Sequence, residues 1–151
     1  MLIHRLGKGL IILDNRLQFF MPMKPPTKTY QEKRLGVDKK GKPFTYPDAE
    51  LKAVRQKLMA HLGQHAPKKP FEGAIQFIAK WCFPITGKHL PGEWKTSKPD
   101  TDNLQKMLKD CMTATGYWKD DAQVVSEIVQ KFYCDVPGIF IVVEKIPESK
   151  V

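Results

Sequence analysis

The apolar residues of this chain change period twice between Ala74 and Tyr133, and that switch constrains the fold more than any other feature. Ala74 to Phe83 alternates, with Ile75, Phe77, Ala79, Trp81 and Phe83 on one side, and reads as a strand. Ile78 and Cys82 add apolar character to its other face. After a loop containing Gly87 and Gly92, residues Leu104, Leu108, Cys111, Met112 and Thr115 recur at helical spacing, with Met107 beside them. Asp102 followed by Gln105 fits a capping box at the start of that helix, and Gly116 a stop at its end. Ala122 to Tyr133 then reads as strand, Asp135 to Gly138 as a turn, and Ile139 to Ile146 as a last strand. The last two strands are expected to form an antiparallel hairpin.

Upstream, Leu17 to Met21 reads as a first strand, stopped by Pro22. Lys24 to Lys42 is rich in Pro, Gly and Lys with no apolar period, so it reads as a loop or loose hairpin. Phe44 to Tyr46 suits a short strand. Pro47-Asp48 opens a helix carrying Leu51, Val54, Leu58 and Leu62, with Gly63 as its stop. The expected fold is therefore α+β: a small mixed sheet of about four strands with two helices packed on it. One domain over residues 17–147 accounts for the pattern, preceded by a poorly ordered N-terminal extension, 1–16. Leu10 to Leu13 is too short for a membrane span, and no signal-peptide cleavage pattern follows it.

A formal charge of +9 favours a polyanionic partner. The excess is concentrated between residues 24 and 70, where twelve basic residues face four acidic ones. Beyond residue 70 acids match bases. A solvated basic loop is the plain alternative. Cys82, Cys111 and Cys134 form no zinc-like spacing and read as small buried apolar residues in a reducing cytoplasm. His61 and His65 are four apart on one helix, a spacing open to a metal pair, but they read as surface histidines.

The acids of the second half are grouped. Asp100-Thr101-Asp102 is followed by Lys106, and Asp120-Asp121 comes after the helix. Asp102 and Lys106 project together from the helix, roughly opposite its apolar stripe. Asp100 lies at the helix entrance and Asp121 at the next strand's start, so three carboxylates can converge. Hard oxygen donors of this kind suit Mg²⁺, and a lysine beside them suits a phosphodiester. Plainer roles are open as well. Asp100 and Asp102 can cap a helix, Asp102 and Lys106 form an acid-first i,i+4 pair, and Asp120-Asp121 can be turn residues.

The two strings Asp100-x-Asp102-Asn103-Leu104-Gln105-Lys106 and Gly116-x-Trp118-x-Asp120-Asp121-Ala122-Gln123-Val124-Val125 resemble the RusA family of Holliday junction resolvases. The opening strand followed by Pro22-Met23-Lys24-Pro25-Pro26-Thr27-Lys28 fits too, and the resemblance covers about residues 17 to 146. It implies a homodimeric, Mg²⁺-dependent endodeoxyribonuclease of phage or prophage origin, with Mn²⁺ able to substitute and no organic cofactor. Such an enzyme nicks opposing strands of four-way DNA junctions in the cytoplasm of a bacterial host. By the resemblance, the catalytic and metal-binding carboxylates fall on Asp100, Asp102 and Asp121, and the catalytic lysine on Lys106. Adjacent strand residues face opposite ways, so only one of Asp120 and Asp121 reaches the shared metal; Asp121 is chosen, with Asp120 as the alternate. Some family members carry an arginine run before the first Asp, where this chain has Lys95 and Lys98.

DNA contacts are expected from Lys24, Lys28, Lys33 and Arg34 in the basic loop and from Lys95 and Lys98, with Tyr30, Phe44 or Trp94 available to stack at an opened junction. A two-fold substrate invites a two-fold protein. The competing readings are a non-catalytic DNA-binding or architectural protein, and a flap or fork nuclease on the same scaffold.

Overall fold

A computed structural model describes residues 4–6, 10–13, 15–29, 33–47 and 49–148; side chains at 4–6, 10–13, 33–35 and 44–47 lie outside the described set. Its strands are β1 (His4–Leu6), β2 (Leu10–Leu13), β3 (Arg16–Pro22), β4 (Lys33–Val37), β5 (Pro43–Pro47), β6 (Ile75–Pro84), β7 (Val124–Cys134) and β8 (Gly138–Lys145). Two helices, α1 (Ala49–His65) and α2 (Thr101–Ala114), complete the α+β architecture.

The main sheet runs in the order β1-β2-β3-β8-β6-β7. Only β6 and β7 pair in parallel. Four contiguous strands of it, β3, β8, β6 and β7, are the expected small mixed sheet. Sequence reasoning assigns no element to residues 1–16; β1 and β2 lie there and lengthen the sheet beyond β3. The basic segment after β3 contains the separate β4–β5 hairpin.

The alternation in β6 does what its pattern requires. Ile75, Phe77, Ala79, Trp81 and Phe83 are all buried, and they meet Leu17, Phe19 and Met21 of β3 and Ile139, Ile141 and Val143 of β8 on one face. Leu51, Leu58 and Leu62 of α1 and Leu104, Met107, Leu108, Cys111 and Met112 of α2 close that core, so both helices cover one face of the sheet. Tyr117 after α2 donates its buried hydroxyl proton to the Leu62 carbonyl (2.7 Å) and ties the two helices together.

Three expectations need correction. The last two strands are not a hairpin, because β6 lies between β7 and β8. The cause is α2: a helix between β6 and β7 returns the chain so that β7 runs parallel to β6. The outer edge of β7 is already taken near its end. Gly92 N–H donates to the Tyr133 carbonyl, Tyr133 N–H to the Glu93 carbonyl and Lys95 N–H to the Lys131 carbonyl. The chain therefore crosses the end of β6, and β8 pairs between β3 and β6.

Gly63 does not stop α1. The helix continues to His65, whose Nδ1 lies 3.0 Å from the His61 carbonyl and whose ring stacks on Phe19. This packing gives the His61/His65 spacing a structural meaning. The cysteines also differ from expectation, since only Cys111 is buried. Cys82 and Cys134 are half-buried neighbours on β6 and β7, and burial foremost, with the Cys134 contact next, pushes the Cys82 thiol up to about 12.

Gly138 opens β8 opposite Pro22 of β3 and leaves no room for a side chain. A Cβ there would collide with the Phe20 ring and the Met21 carbonyl. Gly138→Ala is expected to destabilise the protein by about 1–3 kcal/mol through overpacking, read as a lower urea midpoint at unchanged slope.

Candidate active site

Helix α2 places its apolar stripe on the sheet, which leaves its polar edge facing β7. Between them lies a cavity of about 300 Å³ lined by Asp102, Lys106, Lys109, Asp121 and Glu127, with buried Gln105 in its wall. Of the residues singled out from sequence, this cavity brings together Asp102, Lys106 and Asp121. None of these three side chains makes a hydrogen bond or ion pair among the described residues. From Asp102 to Lys109 the helix advances by roughly 10 Å, so the cavity is elongated along α2.

Asp100 stands just outside. It is the N-cap of α2, with its carbonyl accepting from Leu104 N–H (3.1 Å). Its carboxylate makes no capping bond, and neither does the expected Asp102/Gln105 box form. Gln105 instead turns into the core, where Trp81 Nε1–H donates to its Oε1 (2.9 Å). Its own amide nitrogen donates to Glu127 Oε1 (2.6 Å). A buried indole N–H has to find an acceptor, and this demand takes Gln105 away from the helix end.

The capping box forms one element later. Asp120 accepts from Ala122 N–H (2.8 Å), and the Gln123 side chain accepts from the Lys119 and Asp120 backbone N–H groups. The Gln123 amide then donates to the carbonyls of Phe71 and Gly73. Within the adjacent pair, only Asp121 lines the cavity with Asp102, whereas Asp120 caps a 3₁₀ turn over Asp121–Gln123; both also line a neighbouring cavity with Arg55 and Lys119.

Among the described residues no three carboxylates, imidazoles or thiols come together closely enough to form a metal cage. Mg²⁺ does not demand one. It keeps several waters and is commonly held by one or two carboxylates plus substrate phosphate. The donor set of Asp102 and Asp121, with Asp100 uncommitted beside them, fits such an ion.

Two lysines near the helix entrance, Lys95 and Lys131, are committed to the protein itself. Lys95 donates to Ser97 Oγ (2.7 Å) and lies over the rings of Phe83 and Tyr133. Lys131 of β7 donates to the carbonyls of Ser97 and Pro99, both at 2.7 Å, and so clamps the strand of loop that leads into Asp100. Burial foremost, then the Lys95 charge, lowers the Lys131 pKa, and the Asp100 carboxylate opposes that shift. Lys98 is exposed. Trp94, 60% exposed, stacks on Phe132 at the edge of β7.

Further off, Lys24 is exposed, and Lys28 pairs with Glu50 (3.4 Å) beside Pro25 and Pro26. Lys33 and Arg34 belong to β4, with side chains outside the described residues. Tyr30 and the Phe44 side chain also lie outside them.

Sequence reasoning missed Glu127, Lys109 and Lys131, and gave Gln105 a capping role in place of its bonds to Trp81 and Glu127. Glu127 is hidden by a bulge. The register of β7 against β6 slips at its start, so Val124 pairs with Ile75 but Ser126 pairs with Gln76 and Glu127 with Phe77. Simple alternation from Val124 puts Glu127 on the wrong face. The bulge returns it to the side of the helix and the cavity.

The family sequence model described as endodeoxyribonuclease RusA matches residues 22–144 of this chain. A crossover junction endodeoxyribonuclease, rusA, of Lactococcus phage r1t is 40% identical over 70 residues, covering 45% of this chain and 53% of that protein. The match thus spans about half the length of the phage enzyme. The uncharacterized protein YqaN of Bacillus subtilis (strain 168) is 28% identical over 122 residues, covering 74% of this chain and 85% of that protein.

The division between Asp120 and Asp121 is open to measurement. Asp120→Ala is expected to cost about 1 kcal/mol of stability through the lost cap, seen in chemical denaturation. A variant as stable as the parent would remove the capping role.

Proposed function

Because this chain belongs to the endodeoxyribonuclease RusA family, we propose that it is a Mg²⁺-dependent nuclease that resolves four-way DNA junctions by paired, symmetric nicks. The observation that carries the reading is the shared cavity of Asp102, Lys106 and Asp121. It unites two uncommitted carboxylates with one uncommitted amine at the surface of a strongly basic chain.

The roles follow from charge and reach. Asp102 and Asp121 supply hard oxygen donors from opposite walls of the cavity, one from α2 and one from the turn before β7. Asp100 adds a carboxylate at the helix entrance, its backbone held by the Lys131 clamp on the preceding loop. A divalent cation bound there supplies Lewis acidity to the scissile phosphate and lowers the pKa of water at the site. Lys106 offsets the negative charge that builds on the phosphodiester oxygens, and its ammonium is already aimed at the cavity, so little reorganisation is needed.

Affinity for DNA comes from the basic segment between residues 24 and 70, acting on phosphates and so on shape more than on base sequence. A homodimer would present two such cavities to a two-fold junction. The reaction belongs in the cytoplasm of a bacterial host; among the described residues no helix is long and apolar enough to cross a membrane.

Two experiments test the reading. Asp102→Asn should leave junction binding, measured without Mg²⁺, close to that of the parent, and reduce nicking of a synthetic four-way junction by at least ~100-fold. Cutting at the parental rate would remove Asp102 from the reaction, and binding without any nicking by the parent would favour an architectural protein. Duplex, flap and fork substrates run beside the junction report the structural preference. In a second experiment, alanine at Lys28, Lys33 and Arg34 together should weaken junction binding and reduce the slope of log K against log salt by about 2–3. An unchanged slope would clear the hairpin segment of phosphate contact.

A further inference from the structure

Glu127 does not belong to the aspartate and lysine set on which the resemblance rests, yet it lines the same cavity. It projects from β7, and both of its oxygens are engaged. Oε1 accepts from Gln105 Nε2 (2.6 Å), and Oε2 accepts from Lys109 Nζ (3.0 Å). Gln105 is buried at 3% exposure and is itself gripped by fully buried Trp81 of β6. The chain of contacts therefore runs from β6, through helix α2, to the neighbouring edge strand β7.

We propose that Glu127 is a positioning residue: its two bonds to α2 set the distance between the helix and β7, and with it the gap across which Asp102 and Asp121 share a divalent cation. The inference rests on the nuclease reading above.

Three physical points support it. The bonds are made to a charged acceptor, which gives them roughly twice the strength of neutral ones. They join two elements that carry one cavity carboxylate each: Asp102 sits three residues before Gln105, and Asp121 is in the turn that leads into β7. The Lys109 pair also keeps that amine bound to the wall, leaving Lys106 as the uncommitted ammonium of the cavity among the described residues. Groups that orient metal-binding side chains without touching the metal typically change its affinity by about 10–100-fold when removed.

The test uses the full chain freed of metal, with Mn²⁺ as the probe, titrated by calorimetry without DNA. Glu127→Ala should weaken Mn²⁺ binding by about tenfold or more and raise the half-saturating Mg²⁺ for junction nicking by the same factor. High Mg²⁺ should recover much of the lost rate. Gln105→Leu, which removes the same tie from the helix side, should shift the metal requirement in the same direction. Glu127→Gln keeps an acceptor for Gln105 but loses the ion pair with Lys109, so its Mn²⁺ affinity should fall between those of the parent and Glu127→Ala. Circular dichroism and thermal melts show that each variant is folded.

Glu127→Gln as weak as Glu127→Ala would overturn the inference in favour of direct coordination. Folded Glu127→Ala with parental Mn²⁺ affinity would overturn it in favour of a purely structural pair. Either result leaves the nuclease reading standing. A parent chain that neither binds Mn²⁺ nor nicks junctions removes both.

Discussion

A helix inserted between two parallel neighbours constrains the rest of this molecule. The chain leaves β6 at Pro84, wraps the outer edge of β7 with residues 92–95, and enters α2 only after Pro99. Parallel pairing requires such a crossover, and a helix that crosses must bury one stripe on the sheet. Leu104, Met107, Leu108, Cys111 and Met112 meet that demand. What remains on α2 is a polar edge pointed along β7, so the carboxylates and lysines there face a groove rather than open solvent. The position of the candidate site is a consequence of packing that has nothing to do with catalysis.

In that groove and at the loop beside it, the polar side chains divide into those that hold the structure and those that are left available. Gln105, Lys109, Glu127, Lys95 and Lys131 all have protein partners at 3.0 Å or less. Asp102, Lys106 and Asp121 have none among the described residues. Forgoing such contacts carries a cost, since a cap or a surface pair is worth from a few tenths to about 1 kcal/mol. A ligand that engages the three side chains offsets it, and the chain's overall charge of +9 favours an anionic one.

Much of this was legible from residue order and some was not. The period switches located β6, α2 and β7, because burial on one side imposes alternation on a strand and a three-to-four spacing on a helix. The order of strands in the sheet was not legible. Asp135 to Gly138 looks like a hairpin turn, and local sequence carries no record that the edge of β7 is covered by a loop forty residues upstream. The capping box at Asp102 and Gln105 was a local signal overridden by a tertiary one, the buried Trp81 N–H. Glu127 was missed because one bulged residue reverses the facing of everything after it.

The two acidic pairs show why spacing alone leaves roles undecided. Asp100 and Asp120 each precede a helical turn and carry the same short carboxylate. Asp120 bends back to the Ala122 N–H, aided by Gln123, whose other end is tied to the 71–73 loop. The residue three after Asp100 is Asn103 and the one three after Asp102 is Gln105, already committed to Trp81, so no reciprocal box can close there. The start of α2 consequently keeps backbone N–H groups and a positive dipole end beside carboxylates with free lone pairs. Gln105 lies a turn inside the helix, where the buried indole of Trp81 on β6 holds it against Glu127, so the acids at the helix entrance are left without a side-chain partner among the described residues.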